Sequence, residues 1–170
     1  KSVVGQYIFG FETDTLEKVV VSGLKKLQLK LSVAESCTGG RLAQYITSVA
    51  GSSEVFLGGM VAYSNSVKID FLGVNSDEIE KYGAVSEEVA MQMAMRVREK
   101  TNSDIGIGIT GISGPTGGTD QKPVGLVYIA ISDKNQSKVR KFNFKIDRNM
   151  HQEMTSYIAL NMVRRYYLGE

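Results

Sequence analysis

The sequence predicts an α/β fold: a three-layer α/β/α sandwich whose sheet is mostly parallel with one antiparallel strand. Short apolar strands alternate with helical patterns for most of the chain, the arrangement that crossover units in a parallel sheet produce. The last two strands follow each other with no helix between them, which calls for one antiparallel pair. The length of 170 residues suits one domain with one sizeable core.

The elements follow in order. Residues 1–13 form a lead-in containing Tyr7-Ile8-Phe9-Gly10-Phe11, and the domain proper is expected over 14–170. Leu16, Val19, Val20, Leu24 and Leu27 recur at helical spacing over 13–30, with Thr13 or Asp14 as cap. Leu31-Ser32-Val33-Ala34 is a strand running into the turn Ser36-Cys37-Thr38-Gly39-Gly40, and a helix resumes through Leu42, Ala43 and Ile46. Gly51-Ser52-Ser53 breaks it. Met60-Val61-Ala62-Tyr63 is the second strand, followed by a short helix over 66–72. Ser86-Glu87-Glu88 opens a helix reaching Thr101, with a serine cap and acidic residues in its first turn. Strands are expected at 104–110, 124–132 and 138–146, the last alternating Val139, Phe142, Phe144 and Ile146 with polar residues. A final helix covers 148–168.

Composition excludes several classes. Hydrophobic content is 42% and charged content 22%, ordinary for a soluble globular protein. No stretch is long and apolar enough to span a bilayer, and no secretory pattern opens the chain, so a cytoplasmic protein without a membrane partner is expected. The net charge of +2, from 20 basic and 18 acidic residues, gives no reason to expect nucleic acid. One cysteine and one histidine cannot build a structural zinc site, and no metal or other cofactor is expected. The chain opens on Lys1 rather than Met, as a domain cut from a longer chain would.

Ligands of open α/β sheets gather at the carboxyl ends of the strands. Three such ends carry loops of small polar residues: Glu35 to Gly40, Tyr63-Ser64-Asn65-Ser66-Val67-Lys68, and the long loop opening Thr110-Gly111-Ile112-Ser113-Gly114-Pro115. If the strands are parallel neighbours, the loops share one crevice. In the first, a serine precedes a glycine pair that opens a helix. That geometry presents a hydroxyl beside free backbone N–H groups of Thr38, Gly39 and Gly40, which can receive an anion or an oxyanion. The bland alternative is a helix cap formed by Ser36 or Thr38. Cys37 is a rival nucleophile or a small buried residue.

A serine hydroxyl needs a base. The only histidine, His151, falls on the last helix, away from the expected strand ends, so Lys68 is the next choice. It lies one turn into a helix that Asn65 is expected to cap, where the dipole disfavours its charge. That effect is about 0.3–1 kcal/mol, too little to neutralise a lysine of about 10.4 at pH 7, so burial must supply the rest. A solvated surface lysine is the alternative. The third loop matches neither the P-loop nor the dinucleotide fingerprint; it lines a nucleotide, closes as a lid, or merely connects. Tyr63 is a ring to stack on a ligand or a core aromatic. Arg148 is a phosphate ligand or a surface residue.

These motifs together resemble a known family. Ala34-Glu35-Ser36-Cys37-Thr38-Gly39-Gly40, Gly51-Ser52-Ser53, Tyr63-Ser64-Asn65 with Lys68, Gly83-Ala84-Val85-Ser86, Gly111-Ile112-Ser113-Gly114-Pro115 and Lys122-Pro123-Val124-Gly125 look like the CinA C-terminal domain. The resemblance implies a nicotinamide mononucleotide deamidase like the stand-alone PncC enzymes, which are Ser/Lys amidohydrolases. It places the catalytic serine on Ser36 and the lysine on Lys68. Together with the reading of the strand-end loops it leads to expected substrate contacts at Thr38, Gly39, Gly40, Tyr63, Asn65, Thr110, Gly111, Gly114 and Arg148; the resemblance itself implies a homodimer and an N-terminal molybdopterin-binding-type domain in the full-length chain. The chain departs from stand-alone members at Gln152, where they carry an arginine. The alternative function is a weakly catalytic, nucleotide-binding, dimerising regulatory domain.

Overall fold

The computed structural model describes residues 14–169; the lead-in over 1–13, with Thr13, lies outside them. Helix α1 (Leu16–Leu27) leads into β1 (Leu31–Glu35), α2 (Arg41–Thr47) and β2 (Phe56–Val61). A π-helical turn (Val67–Leu72) and α3 (Ser76–Tyr82) precede α4 (Glu87–Thr101) and β3 (Ile105–Gly111). Strands β4 (Leu126–Ser132) and β5 (Ser137–Asn143) are followed by α5 (Arg148–Val163).

The sheet order is β2-β1-β3-β4-β5. Strands β2, β1 and β3 are parallel neighbours. Strand β4 runs against both β3 and β5, so it alone opposes the other four. The expected three-layer sandwich with one antiparallel strand is therefore what forms, with two antiparallel pairs where one was expected. Both arise from the single reversed strand.

Two clusters of buried side chains lie on opposite faces. Leu16, Val20 and Leu24 of α1, Leu42 and Ile46 of α2, and Leu160 and Val163 of α5 cover Val33, Ile105, Ile107, Ile109, Val127 and Ile129. On the other face, Val89, Met93 and Val97 of α4 meet Ala34, Ala62, Leu72 and Val74. Strand β3 explains why α4 sits so close. Its isoleucines face the larger cluster, and Gly106 and Gly108 face α4. A Cβ added at Gly108 would lie 2.5 Å from Ala94 N and 2.9 Å from Met93 Cβ, inside any real contact. The glycines that interrupt this strand are the seat of a helix.

Two local expectations shift and a third holds. Strand β2 spans Phe56–Val61 rather than 60–63, because Gly58 and Gly59 hide its start from an apolar scan. Helix α3, which the sequence reading missed, buries none of its residues and so shows no apolar period, although Asn75 caps it by accepting from Asp77 N. Ser86 caps α4 as expected, accepting from Val89 N.

Candidate functional site

Because β2, β1 and β3 run in parallel side by side, the loops that leave them meet at one end of the sheet. The backbone ties the first turn to the third strand directly: Ser36 N donates to Ile109 O at 3.0 Å. Lys68 enters from the turn beyond β2 on the α4 face, where Leu72 and Val74 anchor its segment in the core. Ser64, not Asn65, caps that turn, its hydroxyl accepting from Val67 N at 3.2 Å. Asn65 stands exposed beside it.

Lys68 is 2% exposed and Ser36 8%. Lys68 Nζ lies 3.1 Å from Ser36 Oγ, 2.9 Å from Ala62 O and 3.3 Å from Tyr63 O. Burial holds its pKa below the usual lysine range. Both carbonyls can only accept. As an ammonium the side chain donates to all three oxygens; in its neutral form it gives its two hydrogens to the carbonyls and turns its lone pair to the Ser36 hydroxyl, where it can receive a proton. The solvated-lysine alternative does not fit this geometry.

Cys37 is buried, and burial pushes its thiol up to about 12. It stays protonated at neutral pH, which fits the small buried residue and not the rival nucleophile.

The amides of the turn are distributed differently from expectation. Glu35, 1% exposed, reaches over the start of α2. Its Oε2 accepts from Gly40 N and Leu42 N at 3.1 Å each, and its Oε1 from Ala43 N at 2.8 Å. Gly39 N donates to Ser36 O. The Gly39 and Gly40 amides are therefore already engaged. Among the described residues nothing accepts from the Thr38 N–H, and the Cys37 N–H meets only its own thiol; both residues are buried. Thr38 Oγ1 is also buried without a partner. Buried N–H groups without a strong acceptor are rare, and these two residues follow Ser36 directly in the turn. Gly39 and Gly40 keep a different role: both have positive φ, 64° and 97°, which shapes the turn.

Arg148 spans the mouth. Its Nη1 donates to Gly114 O at 2.9 Å and its Nη2 to Tyr63 Oη at 2.9 Å, linking the second and third loops. Thr110 and Gly111 turn away from the mouth: the Thr110 hydroxyl donates to Ala84 O at 2.7 Å, and Gly111 packs against Leu126 and Val127.

The histidine is not remote from the strand ends, contrary to the sequence reading. His151 packs beneath the third loop, with Nδ1 2.9 Å from Ser113 Oγ and Nε2 3.0 Å from Gly125 O. Beside it, Gln152 Nε2 donates to Cys37 O at 2.9 Å. Sequence separation hid these contacts; only the i, i+1 placement of two polar residues on the buried side of a helix hinted at them.

A family model for the CinA C-terminal domain matches residues 13–167. The chain belongs to that family. It is 48% identical to a CinA-like protein of Rippkaea orientalis, over 99% of this chain and 41% of the relative. A CinA-like protein of Geotalea daltonii matches at 48% with the same coverages. The chain thus spans about two fifths of the curated relatives it matches. Among solved structures, the competence/damage inducible protein CihA of Agrobacterium tumefaciens superposes with a TM-score of 0.87 at 36% identity, over 93% of this chain and 97% of that one. A CinA superfamily protein of Escherichia coli gives 0.82 at 31%, over 97% and 99%. Among the described residues, no helix is long and apolar enough to cross a membrane, and no cluster of three potential ligands for a metal occurs.

Proposed function

We propose that this CinA-family domain is an amidohydrolase that converts nicotinamide mononucleotide to nicotinic acid mononucleotide and ammonia with a Ser36/Lys68 dyad. One observation carries the chemistry: a buried lysine, its pKa lowered by desolvation, with its Nζ 3.1 Å from a serine hydroxyl. The substrate comes from the family resemblance. Lys68 Nζ takes the Ser36 proton as Oγ attacks the carboxamide carbon. The Cys37 and Thr38 N–H groups receive the oxyanion. The C–N bond then breaks, and Lys68 returns the proton to the departing ammonia. Water, deprotonated by Lys68, attacks the acyl ester and restores the Ser36 hydroxyl.

The substrate phosphate goes elsewhere. At the start of α2 it would meet the Glu35 carboxylate, which already occupies the amides there. Arg148 offers the cationic fork, with Tyr63 beside it and the Gly114 loop above. Asn65, exposed on the second loop, bounds the nucleotide side. The full-length protein, in this proposal, is a homodimer bearing an N-terminal domain of molybdopterin-binding type.

Ammonia release from nicotinamide mononucleotide by the purified chain is the test. Ser36→Ala is expected to abolish it, and Lys68→Ala to lower kcat by about 10²–10⁴-fold, the range of a general base. Deamidation near the parent rate in both variants refutes the dyad. Nucleotide binding by calorimetry with no ammonia from the parent chain supports the regulatory alternative.

A further inference from the structure

The hydrogens around the Cys37 carbonyl can be counted, and the count isolates one residue. Among the described residues, Cys37 O has two neighbours able to donate: Gln152 Nε2 at 2.9 Å and Ser113 Oγ at 3.4 Å. Ser113 has one hydroxyl hydrogen. Gly125 O can only accept, so His151 Nε2 carries a hydrogen toward it. Burial, aided by the nearby Arg148 charge, lowers the His151 pKa and keeps the ring neutral. Its Nδ1 is then an acceptor, and it takes the Ser113 hydrogen. Gln152 is left as the one firm donor to Cys37 O.

That carbonyl matters because of what shares its plane. The 37–38 peptide is trans, so the Cys37 C=O and the Thr38 N–H point in opposite directions. Gln152 lies on α5, which covers the α1/α2 face of the sheet. Drawing the carbonyl toward α5 drives the Thr38 N–H toward the opposite face, the side from which Lys68 enters. We propose that Gln152 is a positioning residue of the oxyanion pocket, aiming the Thr38 N–H by holding the far end of the same peptide plane. The proposal rests on Ser36 being the nucleophile. It assigns Gln152 no contact with the substrate.

The test compares Gln152→Leu, Gln152→Glu and Gln152→Arg in the full 170-residue chain. Three readouts are followed: kcat and KM for nicotinamide mononucleotide, the rate at which an alkyl fluorophosphonate labels Ser36, and the amide resonance of Thr38. Removing an oxyanion donor outright costs about 10²–10³-fold in kcat, so misaiming one is expected to cost about 10–100-fold. Gln152→Leu should show that loss in kcat and in labelling, with KM within about threefold and the Thr38 resonance displaced. Gln152→Glu, which sets a carboxylate against the carbonyl, should lose at least as much. Gln152→Arg keeps an N–H donor and should recover most of the loss together with the resonance. Parental kcat in Gln152→Leu, or a change confined to KM, overturns the positioning role and leaves the dyad standing. If the leucine variant does not fold, equal kcat in the similarly sized glutamate and arginine variants overturns it as well. A parent chain that neither releases ammonia nor labels at Ser36 overturns the dyad, and this proposal with it.

Discussion

Glu35→Ala should cost this domain much of its stability without touching the apolar core. The carboxylate makes three hydrogen bonds to amides at the start of α2, at 3.1, 3.1 and 2.8 Å. A hydrogen bond to a charged group is worth about 1.5–3 kcal/mol net, but two of these share one oxygen and are not independent. Counting the shared pair once gives about 3–6 kcal/mol, and attraction to the helix dipole adds about 0.3–1 kcal/mol. Alanine also leaves the buried Leu42 N–H unpaired. Water can reach the Gly40 and Ala43 amides, which are only partly buried, so the lower half of the range applies: about 3–5 kcal/mol. That is a large share of the roughly 5–15 kcal/mol of a typical domain. At about 2–4 °C per kcal/mol for this size, Tm should fall by about 6–20 °C. Glu35→Gln should fall between the two, because one amide oxygen can serve Gly40 and Leu42 while its NH₂ opposes Ala43 N. Urea and thermal unfolding followed by circular dichroism measure all three chains. A loss below about 1 kcal/mol in Glu35→Ala, the size of an ordinary exposed cap, would refute this account of the turn.

Three further outcomes follow from the geometry. Deamidation needs neutral Lys68, so kcat/KM should rise with pH and level off below pH 10.5, since burial lowers the pKa from that value; the folded state then binds fewer protons than the unfolded one between the two pKa values, so Lys68's contribution to stability rises with pH across that window, and a plateau only above 10.5 contradicts the buried base. Gly108→Ala should destabilise by about 3 kcal/mol or more in urea titrations, because backbone and not a flexible side chain blocks the new Cβ; near-wild-type stability would mean α4 can lift off β3. Arg148→Ala should raise KM for the mononucleotide at least tenfold, the worth of about 1.4 kcal/mol, while leaving the phosphate-free nucleoside unaffected; equal effects on both would remove Arg148 from the phosphate.

What was legible in the sequence was local or periodic. Ser86 with Glu87 and Glu88 announced α4 because a cap and its helix lie within four residues of each other. The convergence of three loops followed once the strands were read as parallel, and it brought Ser36 and Lys68 together across 32 positions. Glu35 was quoted as part of a motif, yet its role was hidden. Capping rules look from the cap forward to the first turn, whereas this carboxylate leaves the end of a strand and folds over amides five to eight residues on. His151 was dismissed by its distance along the chain, but α5 returns it to the third loop. Helix α3 left no apolar period because none of its residues is fully buried and Ile79 alone packs against the smaller cluster.

The Arg148 bridge has a consequence for which molecules can stay at the mouth. Both ends of its guanidinium are occupied before anything arrives, by a phenol and a carbonyl. A newcomer therefore competes with two neutral acceptors at about 2.9 Å instead of filling an empty place. A neutral visitor exchanges like for like and gains little. An anion replaces bonds in which only the guanidinium is charged with shorter ones in which both partners are. The bridge thus acts as a threshold that favours anions over uncharged ligands of the same shape.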